Sequence, residues 1–143
     1  MQKIKTILAL GALLGSAAAY AGNCDTGTVE GTYAITGNGW STKTVDSITT
    51  RTPFSGVGVR QNDRNGTFSV SQQFIQDGIS GGQTAYSGTY TVSPLPNTKG
   101  TCIVSDFGIH PHTGVTSDNG NHISAITISP GNTISFEYVR VSR

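Results

Sequence analysis

Three histidines, His110, His112 and His122, are the side chains in this sequence best suited to holding a metal ion. His110 and His112 are two residues apart, so on a strand both rings face the same side. Two imidazoles on one face, with a third from a neighbouring strand, can make a zinc or copper site. Asp106 or Asp118 can add an oxygen. Pro111 stands between the first two histidines and favours a loop or a sheet edge. The simpler alternative is therefore a set of solvent-exposed loop histidines.

Other chemistry is sparser. Gly78-Ile79-Ser80-Gly81-Gly82 matches G-x-S-x-G, but a nucleophile elbow needs a strand, a sharp turn and a helix in an α/β fold. No helix pattern follows, so the segment reads as a flexible loop. Glu30 and Glu137 are the two glutamates, on the first and last predicted strands. Their apolar neighbours occupy the opposite faces, which puts both carboxylates on the outside. Asn65-Gly66-Thr67 is a glycosylation sequon, though a hairpin turn explains it equally well.

The elements that must position these residues are strands. The chain has 143 residues, of which 12% are charged, with 19 Gly and, counted from the sequence, 35 Ser and Thr. That composition suits strands and turns better than helices, and the length suits one domain. A formal charge of +1 provides no basic surface for nucleic acid.

Residues 1–21 read as a secretory signal peptide. Lys3 and Lys5 are followed by an apolar run from Ile7 to Leu14, then by Ala19-Tyr20-Ala21. The apolar run is too short to span a bilayer, and no second one follows. The expectation is a secreted or periplasmic protein without a membrane span, with residues 22–143 as a single domain. Its balance would be seven basic against eight acidic residues once Lys3 and Lys5 are removed. Cys24 invites comparison with a lipoprotein, but Asn23 and Ala21 do not fit a lipidation site. In an exported chain Cys24 and Cys102 are expected to form one disulfide.

Alternation punctuated by turns recurs along the chain. Val29, Gly31, Tyr33 and Ile35 share one face. Phe68, Val70, Gln72 and Phe74 share another, as do Tyr86, Gly88, Tyr90 and Val92. Asp63-Arg64-Asn65-Gly66 is the clearest hairpin turn. Trp40 to Arg51 reads as a loop with a short strand around Val45 to Thr50. Asp77 to Gly82 reads as a loop, and Gly108 to Gly120 as a long loop with a strand fragment. Strands are expected over His122 to Ser129 and Thr133 to Val141. Seven to nine strands joined by short links predict an all-β fold. The preferred form is a single small antiparallel up-and-down barrel of about eight strands, with a β-sandwich as the alternative.

The order of Gly31-Thr32-Tyr33, Phe54-Ser55-Gly56-Val57-Gly58, Asn65-Gly66-Thr67-Phe68, Asp77-Gly78, Ser87-Gly88-Thr89-Tyr90-Thr91-Val92 and Gly100-Thr101-Cys102 resembles small secreted bacterial calycin-like barrels. That broad group includes lipocalins and avidins. A lipocalin carries G-x-W near its first strand; here Tyr33 takes the tryptophan's place. Arg140 is the candidate for the late arginine that closes over that aromatic. The resemblance covers most of residues 27–105. It implies a barrel with a pocket and no particular ligand.

The functional expectation is binding without catalysis and without a cofactor. Either a small apolar ligand sits in the barrel or a protein partner meets the loops. The inward aromatics Tyr33, Phe68, Tyr90, Phe136 and Tyr138 are the candidate ligand-binding residues; Arg60 and Gln72 alternate with apolar neighbours and, if they point inward, are the polar groups to watch. The alternatives are a cyclase-type barrel enzyme, which needs an inward acid or arginine, and a secreted inhibitor using Trp40 and the loops.

Overall fold

The computed structural model describes residues 24–107 and 110–143. The expected signal peptide therefore lies outside the described residues. Eight strands follow one another: β1 Gly31–Val45, β2 Ile48–Asn62, β3 Thr67–Gln76, β4 Ile79–Pro94, β5 Cys102–Phe107, β6 His112–Ser117, β7 His122–Thr127 and β8 Thr133–Ser142. Each pairs antiparallel with the next, and β8 closes on β1, so the sheet is an up-and-down barrel. Closure removes both sheet edges along the length where β1 and β8 pair, from Thr32 to Trp40.

Alternation decides what lies inside. Tyr33 and Ile35 of β1, Phe68 and Val70 of β3, Tyr90 of β4, Val104 of β5, Ile123 of β7 and Ile134, Phe136 and Tyr138 of β8 are buried together. Glu30 and Glu137 are exposed, as their neighbours predict. Glu137 accepts from Ser124 at 2.7 Å and sits 2.7 Å from His122 Nε2 on the outer surface.

The turns differ from the sequence reading in instructive ways. Residues 40–51 are the continuous arms of β1 and β2, joined by Asp46-Ser47 with φ of 50° and 66°. A pair with two positive φ angles makes the tight turn that matches strand twist, and Asp-Ser does not advertise it as Asn-Gly does. Trp40 is accordingly a strand residue, 46% exposed, with the Arg51 guanidinium 5.5 Å from its ring centre. Asp77-Gly78 makes a second such turn, with φ of 53° and 72°. The segment read as a loop to Gly82 is thus the start of β4, and Ser80 stands exposed on a strand rather than on an elbow. The expected hairpin at Asp63–Gly66 is present, closed by Gly66 N–H donating to Asp63 O at 3.0 Å.

One end of the barrel is stoppered. A 3-10 turn, Thr26–Val29, lies across it with Val29 fully buried, and a second, Asp118–Gly120, packs beside it. The Cys24–Cys102 disulfide ties this N-terminal segment to the start of β5. It spans a sequence separation of 78, and closing such a loop in the unfolded chain is worth about 4–5 kcal/mol by the entropic account. It also commits the Cys24 sulfur, which is incompatible with a lipid thioether there. No helix among the described residues is long and apolar enough to cross a membrane.

Candidate functional site

The opposite end is open, because β1 to β4 rise higher than the rest of the wall. β4 pairs with β5 only from Thr89 to Pro94, leaving its first half bonded to β3 alone among the described residues. Inside this mouth lies a cavity of about 360 Å³. Its walls are the rings of Phe54, Phe74, Tyr86 and Phe136, with Ile134. Phe54 stacks on Phe74 at 5.8 Å between centroids and meets Phe136 edge-on at 6.3 Å. Gln72, Gln76, Asn132 and Thr84 supply the polar groups, and His110 and His112 complete the lining. None of the described lining residues is Lys, Arg, Asp or Glu.

Glycines make room for these rings. A methyl group on Gly37 would meet the Phe136 ring, and one on Gly81 would meet Phe74. Gly81 lies where the β3–β4 register shifts, so the irregularity and the missing side chain together seat Phe74 in the wall.

Below the cavity the barrel is filled by a buried polar network. Arg60 from β2 donates to both oxygens of Asp106 from β5, Nη2 to Oδ1 at 2.8 Å and Nη1 to Oδ2. Its Nε donates to Asn62 Oδ1 at 2.5 Å, and Asn62 Nδ2 donates to Val29 O at 3.0 Å. The guanidinium carbon sits 4.1 Å from the Phe68 ring centre and 5.4 Å from that of Tyr138. Burial disfavours both charges. The fork-to-carboxylate bonds outweigh it, so Asp106 stays below the usual carboxylate range and Arg60 above its ordinary value. Tyr138 is pushed well up by burial.

His112 from β6 joins this network to the cavity. It is 3% exposed, its Nδ1 lies 3.5 Å from Asp106 Oδ2, and its ring meets Phe136 at 4.5 Å. An ionised carboxylate can only accept, so it favours a proton on Nδ1. Nε2 is buried without a hydrogen-bond partner in the described structure. Such an orphan costs about 1–3 kcal/mol. His110, at the mouth, meets Tyr86 edge-on at 5.4 Å. Burial, aided by nearby His112, holds His110 below the ordinary histidine value. Burial pushes the Tyr86 hydroxyl up to about 12.

The structure redistributes the candidate residues. Of the five inward aromatics, Phe136 lines the cavity. Tyr33, Phe68, Tyr90 and Tyr138 lie deeper in the packed core and do not line it. The cavity instead recruits Phe54, Phe74 and Tyr86, whose alternation with the core residues was visible but whose height in the barrel was not. Gln72 and Arg60 both point inward. His112 is a buried strand residue rather than an exposed loop residue, since Pro111 precedes the strand instead of breaking it. His122 lies on the outer wall with Glu137, away from the other two histidines. Among the described residues no three His, Cys, Asp or Glu side chains converge to hold a metal ion, so the three-histidine set does not form one site.

A hollow of about 410 Å³ also lies against β5 to β8, lined by Ile103, Val115 and Ile126. Its one charged group, Glu137, is already engaged by Ser124 and His122. The open mouth is the better site, since aromatic walls and several polar groups converge there.

Neither a protein-family model, nor a curated protein, nor a solved structure matches the chain. The reading of the site therefore rests on its geometry.

Proposed function

We propose that this is an exported, non-catalytic binding protein that holds one small, largely apolar molecule in the mouth of its barrel. The observation that carries the reading is the 360 Å³ cavity, walled by four aromatic rings above a floor of buried side chains. Its size falls within the range of small-molecule sites. The floor is rigid, because the Arg60–Asp106 pair and Asn62 fix β2, β5 and the N-terminal segment to one another. A rigid floor with aromatic walls is preorganised for binding. Export is supported by the signal-like residues 1–21 and by the disulfide, which persists in oxidising compartments. A calycin-like relationship is supported by the eight-stranded closure and by Arg140 lying over Tyr33 at the stoppered end.

A cyclase-type reaction in the same cavity is the second reading, favoured by the inward Arg60, Asp106 and His112. Arg60 and Asp106 satisfy each other, however, which suits a structural floor better than a reacting one.

Native mass spectrometry of protein purified from its own host's secreted or periplasmic fraction tests the reading. A retained small molecule establishes carriage and gives its mass. A bare, disulfide-closed chain from every preparation overturns tight carriage and moves attention to partner binding through the Trp40 hairpin.

A further inference from the structure

Part of the rim of the mouth is a row of hydrogen-bonding groups. Asn132 just before β8, Ser41 of β1, Thr52 of β2 and Gln76 at the end of β3 follow one another in the order in which those strands neighbour in the barrel. The two carboxamides at the ends of the row are fixed by what they already bond. The Thr42 backbone N–H donates to Asn132 Oδ1 at 3.0 Å. A backbone N–H can only donate, so the atom meeting it is the oxygen, and the Asn132 amide nitrogen keeps its donors for another partner. Gln76 Nε2 donates to Thr52 Oγ1 at 3.0 Å, and the Thr52 hydroxyl donates onward to Ser41 O at 3.4 Å. A carbonyl oxygen can only accept, so this relay runs one way and leaves Gln76 Oε1 as an acceptor. Both side chains are half-buried and line the mouth, and neither lines the hollow against β5 to β8. The rim thus presents one donor and one acceptor whose roles do not titrate, above walls of aromatic rings. No Lys, Arg, Asp or Glu lines the cavity among the described residues, so a charged ligand would find no counter-charge in its walls. The stacked and edge-on rings of Phe54, Phe74 and Phe136 favour a flat, unsaturated body between them.

Building on the proposed carrier reading, we infer that the ligand is a neutral aromatic amide, a carboxamide or lactam, whose ring packs among Phe54, Phe74 and Phe136 while its carbonyl accepts from Asn132 Nδ2 and its N–H donates to Gln76 Oε1. An ester of the same ring keeps the carbonyl and loses the donor. A carboxylate keeps the shape of the primary amide, loses the donor and brings a charge that the walls do not match. A site that pairs both halves of an amide discriminates against analogues that leave one of its groups unpaired.

The test uses three probes on one ring, 2-naphthamide, methyl 2-naphthoate and 2-naphthoate, titrated into the full mature protein near neutral pH by calorimetry. Binding of the amide is expected to be about tenfold tighter than that of the ester, the ratio one hydrogen bond to a partly buried acceptor provides. The carboxylate is expected to bind more weakly than the amide by at least as much. Gln76→Leu removes the acceptor and should erase the advantage of the amide over the ester. The three-probe comparison on the unsubstituted protein decides the matter if that variant does not fold. Equal affinity of amide and ester, a carboxylate that binds as tightly as the amide, or an amide advantage that survives Gln76→Leu overturns the inference while leaving the carrier reading intact. Failure of all three probes to bind at millimolar concentration overturns both.

Discussion

Arg140 lies across the ring of Tyr33, its guanidinium carbon 5.3 Å from the ring centre and its Nη2 2.7 Å from the phenol oxygen. The two residues come from the first and last strands, 107 positions apart. Tyr33 in turn donates to Gly120 O at 2.7 Å, and Arg140 donates to Thr28 O and to Asn121 Oδ1. One contact thus joins the barrel seam, the N-terminal 3-10 turn and the β6–β7 connection. Burial raises the Tyr33 hydroxyl, partly offset by the Arg140 bond, so it remains a donor at neutral pH.

Tyr33→Phe should cost about 1–2 kcal/mol, because the Gly120 carbonyl and the guanidinium each lose a partner in a buried place. Arg140→Met should cost more, about 2–3 kcal/mol, since it removes the guanidinium bonds to Thr28 O and Asn121 Oδ1 as well as that to Tyr33. Urea unfolding followed by circular dichroism measures both. Wild-type midpoints in both variants would show that the seam is held by the ladder alone.

Arg60→Met should be the most damaging single change in the floor, about 3–5 kcal/mol, because it leaves the Asp106 carboxylate buried and unpaired. The pH dependence follows from the depressed Asp106 value. Its contribution is complete above the ordinary carboxylate value near 4, and is lost as pH falls through the lower folded value. Subtracting the urea stability of Asp106→Asn from that of the wild type isolates this part. The difference should shrink as pH falls below about 4. A difference that grows as pH falls below about 4 would reverse the assignment of charge.

Gly37→Ala places a methyl group against the Phe136 ring, one of the cavity walls. The expected cost is about 1–3 kcal/mol of stability, together with weaker uptake of aromatic probes. Adding Phe136→Leu should recover part of the stability, since it removes the ring edge the methyl meets. Strictly additive effects in that double-mutant cycle would argue against the contact.

Much of the architecture was legible along the chain. Alternation at Tyr33 and Ile35, at Phe68 and Val70, and at Phe136 and Tyr138 sorted inside from outside, since the strand period is two and burial acts on every second side chain. The hairpin at Asp63–Gly66 was legible because Asn-Gly carries its own backbone preference. The Asp46-Ser47 and Asp77-Gly78 turns are not legible as such, as the first lacks glycine and the second lies within a glycine-rich stretch. The buried place of His112 is not legible, because Pro111 beside it reads as a loop while in the structure it only precedes the strand.

By itself, then, the sequence determined the all-β class, the inward faces and the single cysteine pair, because these follow from local periodicity and residue chemistry. The tertiary structure decided which inward residues are core and which are cavity. That depends on height along the barrel axis, set by register and strand length, which no local pattern records. It also decided that Arg60, Asp106 and His112 meet, three residues from three strands whose pairing only barrel closure brings about.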